Sequence, residues 1–347
     1  MSLVELSINK LEKQKEAISM RARIDTGPFC NYNCHFCYYK ESLGRRDSFD
    51  KFKTQIDIAE RYGMTAVEFS GGESSVEPNW FRYLEYSKGK FEHMSCLSHG
   101  GKFDDMEFLR RSHALGLNEI LFSLHGYDAE SHELITGRKG SFKKILKAIE
   151  NAQVLGLRVR LNCTVCNENY SQLHTKYAEL VRSINPYQTN LIVLNYFNMG
   201  HLKEENKINY RIVAPFIHKF IEGIKDSVRY VSVRYIPFCY MVGYEEYVTD
   251  YFQLIYTLED WNMAFFSHSD CPLSGETKEE RLQEAWFTAS QHRTHDYKKP
   301  LECLKCRYFY ICDGMEKRSS DPVFPVEGEK IVDPLHYLRP LLVRDPY

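Results

Sequence analysis

Cys30, Cys34 and Cys37, in the run Cys30-Asn31-Tyr32-Asn33-Cys34-His35-Phe36-Cys37, place three thiolates at C-x3-C-x2-C spacing. Thiolates are soft donors suited to iron–sulfur ligation, and three of them leave one iron of a four-iron cluster without a protein ligand. That open iron can bind a small molecule directly, so the pattern predicts chemistry rather than structural iron. Zinc is the competing reading, and it wants a fourth ligand nearby. A second group of cysteines lies towards the other end of the chain, at Cys303, Cys306 and Cys312, and the sequence does not choose between iron and zinc for it. Cys96, Cys163 and Cys166 fall in or beside apolar strand patterns and read as small core residues. Strand alternation would send Cys163 and Cys166 to opposite faces.

These residues need elements to position them. The chain has 347 residues, 43% hydrophobic and 14% aromatic, enough for a large core and about two domains. A formal net charge of −2 gives no electrostatic reason to expect a nucleic-acid partner. Charges interrupt every apolar run between Leu3 and Met20, so neither a secretory signal nor a membrane span fits, and a cytoplasmic location is expected. In a reducing compartment the eleven cysteines favour metal binding over a disulfide framework.

Patterning predicts an N-terminal helix over Leu3 to Ile18 and a first strand over Arg21 to Asp25, with the cysteine loop after it. Further strands are expected at Thr65 to Ser70, Met94 to Ser98, Glu119 to Ser123, Arg158 to Thr164 and Asn190 to Asn195. Helices are expected between them, near Asp50 to Tyr62, Asp104 to Leu115, Phe142 to Leu155 and Ser171 to Ile184. This rhythm implies an α/β fold with parallel strands and outer helices, whose site lies at the C-terminal strand ends. The cysteine loop, Gly71-Gly72-Glu73 and Ser123 all fall there. After about residue 200 the rhythm fades into a helix near Tyr210 to Ile224, a strand near Tyr230 to Tyr235 and an irregular tail. The expected division is 1–19, 20–200 and 201–347.

The cysteine loop, the Gly-Gly-Glu after the second strand and the repeated βα units together resemble the radical S-adenosylmethionine (radical SAM) superfamily. The resemblance covers roughly Arg21 to Asn198. It implies a partial (β/α)6 barrel and a [4Fe–4S] cluster on Cys30, Cys34 and Cys37 that cleaves SAM to a 5′-deoxyadenosyl radical. It also implies a flavodoxin- or ferredoxin-type electron donor. Phe36 stands where the family has an aromatic residue near the adenine. Gly71 and Gly72 let a backbone approach a ligand, and Glu73 can accept from the methionyl ammonium. Ser123 and Asn162 stand where the family uses polar residues toward the carboxylate or ribose. Arg138 can reach a carboxylate as a bidentate donor. His125 is a candidate acid or base, or a packed loop histidine.

Cys303, Cys306 and Cys312, followed by Gly314, resemble in part the SPASM or twitch extension of such enzymes, which carries auxiliary clusters. A full extension has a cysteine where this chain has Glu316, so the ligands suffice for about one cluster. Its fourth ligand is expected from Cys271, or else Cys239.

Only 29 residues precede Cys30, whereas peptide-modifying members often carry an N-terminal winged helix. That favours a small polar substrate such as a sugar, nucleotide sugar or nucleoside over a peptide, with oxidation, decarboxylation or rearrangement as the outcome. A non-catalytic iron–sulfur or zinc protein, acting as a scaffold or electron carrier, is the alternative from another class; it leaves the Gly-Gly-Glu without a purpose. The tyrosines from Tyr230 to Tyr251 would stack on a sugar or base, or simply pack the tail.

Overall fold

The computed structural model describes Gln14, residues 17–195, Leu202, residues 204–257 and residues 278–337. The helix expected over Leu3 to Ile18 and Cys271 lie largely or wholly outside these residues.

The chain alternates strand and helix: β1 (Arg21–Asp25), α1 (Phe49–Arg61), β2 (Ala66–Ser70), α2 (Trp80–Ser87), β3 (His93–Ser98), α3 (Met106–Ala114) and β4 (Leu117–Ser123). Two helices, α4 (Ala129–Thr136) and α5 (Ser141–Val154), precede β5 (Arg158–Val165). Then come α6 (Ala178–Ile184), β6 (Gln188–Val193), α7 (Tyr210–Ile224) and β7 (Tyr230–Arg234). The strands form one parallel sheet in sequence order, β1 through β7. The partial barrel expected from the sequence is present and has seven strands rather than six. The sheet passes residue 200 because α7 and β7 repeat the helix–strand step.

Alternation along each strand divides the residues between two environments. Ala22, Ile24, Val67, Phe69, Cys96, Ile120, Phe122, Leu161 and Cys163 are buried in the apolar core, and Trp80, Tyr83 and Phe52 pack into it from the helices. Each fully buried large side chain contributes about 1.5–3 kcal/mol. The other face is polar. Arg21 on β1 reaches Glu68 on β2 at 3.0 Å and Glu119 on β4 at 2.8 Å, and Arg160 on β5 binds the same two carboxylates. Strands lie about 4.8 Å apart in a sheet. Side chains of β1 and β5 meet on shared partners because the sheet curls. Burial opposes ionisation of Glu119, but Arg160 and Arg21 hold its carboxyl well below the usual range. This ion network fills the interior at the level of the strand starts, and the opposite ends stay open for a site.

The tail packs beside β7. Its short elements are α8 (Tyr251–Leu254), α9 (Lys278–Asp296) and a two-residue pair, β8 (Tyr297–Lys298) with β9 (Met315–Glu316). Tyr251, Tyr256, Tyr297 and Leu335 form a small core with Ile18. The tyrosines expected either to stack on ligand or to pack do pack: Tyr251 on His292, Tyr244 on His218, Tyr240 on Tyr210.

Candidate functional site

The cysteine loop crosses the C-terminal ends of the strands and is fastened at several points. The Gly27 amide and the Tyr39 hydroxyl both donate to the Asp25 carboxylate, at 2.8 and 2.7 Å, tying both sides of the loop to β1. The Asn33 and His35 amides donate to the carbonyls of Thr136 and Ile135 at the end of α4, both at 3.2 Å. Phe36 packs edge-on to His125 at 4.9 Å.

Gly71-Gly72-Glu73 is stitched to the approach of this loop. The Gly72 amide donates to Gly27 O and the Glu73 amide to Phe29 O, each at 2.8 Å. A Cβ on Gly71 would lie 2.5 Å from Gly27 O, and one on Gly72 would lie 2.2 Å from Phe29 O. The space a side chain would need is therefore filled by the cysteine loop's own backbone, not held open for a ligand. The Glu73 carboxylate is also occupied within the chain. It accepts from Ser98 Oγ at 2.9 Å, Ser75 Oγ at 2.6 Å and the His99 amide at 2.7 Å. His99 Nδ1 lies 3.4 Å from this carboxylate but accepts from the Gly101 amide, and burial lowers the imidazole pKa, so the contact is not an ion pair. These hydrogen bonds knit the ends of β2 and β3 to the loop; Tyr32 stacks on the His99 ring at 3.5 Å.

Ser123 and Asn162 are direct partners across β4 and β5, both half-buried. Arg138 is exposed just past α4, close enough to lower the Tyr32 phenol against the larger upward effects of burial and Glu73. His125 is a packed residue. Its Nδ1 accepts from the Thr164 amide at 3.1 Å, and burial, then His132 and His35, keep it neutral. Cys96 and Cys163 are buried as expected, while Cys166 is buried beside the carboxylate of Glu168 rather than in a purely apolar setting.

Without a cation the loop thiols resist ionisation. Burial first, and then neighbouring negative charge, push Cys30 and Cys34 up to about 12; Cys37 repels both and is itself raised by burial. Iron reverses that balance, since ligation needs the thiolates. The Tyr32 amide points at Cys30 Sγ from 3.4 Å, the kind of N–H to sulfur contact that tunes a cluster.

The tail brings four thiols together. Cys239, Cys303, Cys306 and Cys312 line one pocket with Phe309, Tyr308 and Val323. Cys303 and Cys306 bracket a tight turn, with the Cys306 amide donating to Cys303 O at 2.9 Å. The Gly314 amide points at Cys312 Sγ from 3.3 Å. Cys239 comes from a separate turn, Phe238–Tyr240, and burial, then Cys306 and Cys303, push its thiol up to about 11. Cys239 is one of the two fourth-ligand candidates; the other, Cys271, lies outside the described residues. The donor set fits a four-thiolate cluster.

The sequence signature of the Radical SAM superfamily matches residues 24–177, the span from β1 to the residue before α6. The chain carries a radical SAM domain. Such a domain binds a [4Fe–4S] cluster and SAM, and the three-cysteine loop over the strand ends fits both. Among similar proteins, the antilisterial bacteriocin subtilosin biosynthesis protein AlbA of Bacillus subtilis (strain 168) is 31% identical over 160 residues, 45% of this chain and 35% of that protein. An AdoMet-dependent heme synthase of Methanosarcina barkeri (strain Fusaro / DSM 804) is 21% identical over 315 residues, 84% of this chain and 89% of the relative. The crystal structure of methylornithine synthase (PylB) superposes with TM-score 0.53 at 11% identity, covering 83% of this chain and 89% of that one, which establishes likeness of fold. This chain spans about a third of AlbA's length but most of the heme synthase's. Among the described residues no helix is long and apolar enough to cross a membrane.

Proposed function

We propose that the chain is a radical SAM enzyme whose cluster is ligated by Cys30, Cys34 and Cys37 and whose tail carries one auxiliary cluster on Cys239, Cys303, Cys306 and Cys312. The observation that carries this reading is the stitching of Gly71-Gly72-Glu73 to the cysteine loop across the strand ends. A cluster held by Cys30, Cys34 and Cys37 would supply the electron for reductive cleavage of SAM and so for hydrogen abstraction from substrate.

The chain's own residues hold and orient. Ser123 and Asn162, adjacent in register, offer hydrogen bonds to the ribose or carboxylate of SAM. Phe36 gives the adenine an apolar wall, and Arg138 offers a carboxylate a paired donor at the rim. Glu73, occupied by Ser75, Ser98 and His99, acts by fixing the turn, so the main chain of Gly71 and Gly72 is left to meet the methionyl ammonium. Cys239, Cys303, Cys306 and Cys312 would hold an auxiliary cluster with no ligand missing, which would suit it to carry electrons rather than to bind substrate.

For substrate, the reading is a small polar molecule such as a sugar, nucleotide sugar or nucleoside, oxidised or rearranged after hydrogen abstraction. A peptide substrate is the second reading, favoured by the relative named for bacteriocin biosynthesis. The test is 5′-deoxyadenosine formation by the anaerobically reconstituted, reduced protein, with Cys34→Ala beside it. The variant is expected to lose cleavage, and normal cleavage there sinks the proposal. Comparison of metabolites and peptides between cells with each form then separates the substrate classes.

A further inference from the structure

The cysteine loop touches a group of donor atoms that neither cluster uses. His35 stands between Cys34 and Cys37, and its Nε2 lies 3.6 Å from the carboxylate of Glu168, just past β5. Cys166 completes the group. An imidazole nitrogen, the thiol sulfur and a carboxylate oxygen all lie within 4.8 Å of one another. Donors on one zinc ion, bound at about 2.0–2.3 Å, sit roughly 3–4 Å apart, so small side-chain rotations close the shell.

The backbone that presents these donors is already fixed. Buried Asn169 accepts from the Cys166 amide at 2.9 Å and donates to the carbonyls of His125 and Thr164, both at 2.8 Å. Asn167 Nδ2 donates to Glu205 O at 2.9 Å. Cys166 and Glu168 are therefore displayed on one braced turn, and His35 comes from a loop whose amide is anchored on Ile135. Sites held this way by outer hydrogen bonds bind metal without first ordering the chain.

We propose that His35, Cys166 and Glu168 form a zinc site, separate from both cysteine clusters, that pins the cluster loop to the end of β5. One nitrogen, one sulfur and one oxygen make a mixed donor set that zinc accepts, with water in the fourth position. A thiol argues against magnesium or calcium, which take oxygen ligands. Zinc has no redox chemistry, so it restrains the loop without competing for the electrons that pass through it. The metal-free alternative is a hydrogen-bonded trio in which the Cys166 thiol and His35 both point their protons at Glu168.

The test uses the full-length, anaerobically reconstituted protein, treated with a mild chelator, given zinc and desalted. Elemental analysis is expected to find about one zinc per chain with iron unchanged. Zinc-edge X-ray absorption is expected to show one sulfur near 2.3 Å and nitrogen or oxygen near 2.0–2.1 Å. Glu168→Gln, His35→Gln and Cys166→Ser are each expected to weaken zinc retention at least about tenfold with iron retained. His35 and Glu168 are each 26% exposed, so their variants carry the test if Cys166→Ser misfolds. Zinc bound through four sulfurs, zinc gained only as iron is lost, no zinc in the wild type, or full retention in the glutamine variants would each overturn the site.

Discussion

At the barrel mouth three cysteines come from eight consecutive residues, whereas in the tail the four that meet come from two separate turns and a loop between Cys239 and Cys312. The barrel loop is held by neighbours that are themselves fixed: Asp25, the Gly71-Gly72 turn, and the end of α4. The tail pocket is assembled from long-range packing, with Arg293 donating to Tyr310 O and Lys330 to Cys306 O. A donor set with one ligand too few needs a rigid cradle for the molecule that fills the gap. A filled set needs only to be brought together.

Substitutions at two crowded glycines should break this comparison most sharply. Gly72→Ala drives a Cβ into Phe29 O, and Gly314→Ala brings one within 2.5 Å of Lys298 O. The first is expected to cut SAM cleavage at least about a hundredfold, about 2.7 kcal/mol, and to lower iron at the barrel site. The second should lower iron in the tail while SAM cleavage persists, as followed by 5′-deoxyadenosine yield and iron content.

Next in size is Glu119→Gln, which leaves Arg21 and Arg160 buried with half their anionic partners. Breaking such a network costs about 3–5 kcal/mol in urea unfolding. Because the folded carboxyl is held below its usual value of 4.5, Glu119 contributes stability above that value, and the contribution disappears as pH falls through the folded pKa. Unfolding of the variant should accordingly lose this part of the acid-side slope, and an unchanged slope contradicts the assignment.

The tail is sharpened by Cys239→Ala against Cys271→Ala. The first is expected to disturb the auxiliary cluster and remove up to about four irons, the second to leave iron content as in the wild type. The smallest effects belong to Ser123→Ala and Asn162→Ala. Each removes one hydrogen-bonding group, so the KM for SAM is expected to rise about three- to tenfold, roughly 1 kcal/mol. No change in either variant would remove them from the SAM site.

The difference between the regions also governs what could be read from sequence. The barrel was legible because strand alternation and the local cysteine spacing are short-range signals; Arg21 to Asp25 starts and stops where the pattern does. The polar interior was visible in principle, as charges at alternate strand positions in Arg21, Glu68, Glu119 and Arg160, but which charges meet depends on the curl. The crowding of Gly71 and Gly72 by Gly27 O and Phe29 O was not legible, because it is a tertiary fact. That Cys239 lines one pocket with Cys303, Cys306 and Cys312 was not legible either, since a cysteine in an isolated turn has no spacing to announce it. The His35, Cys166 and Glu168 group was missed for the same reason: His35 lies far in sequence from the turn that carries Cys166 and Glu168, and only Cys166 carried a reading.

The most direct measurement is iron, sulfide and 5′-deoxyadenosine on the reduced protein, wild type beside Cys30→Ala/Cys34→Ala/Cys37→Ala. The account predicts about eight irons falling to about four, with SAM cleavage abolished. Undiminished cleavage in the triple variant, or iron that does not fall, would contradict it.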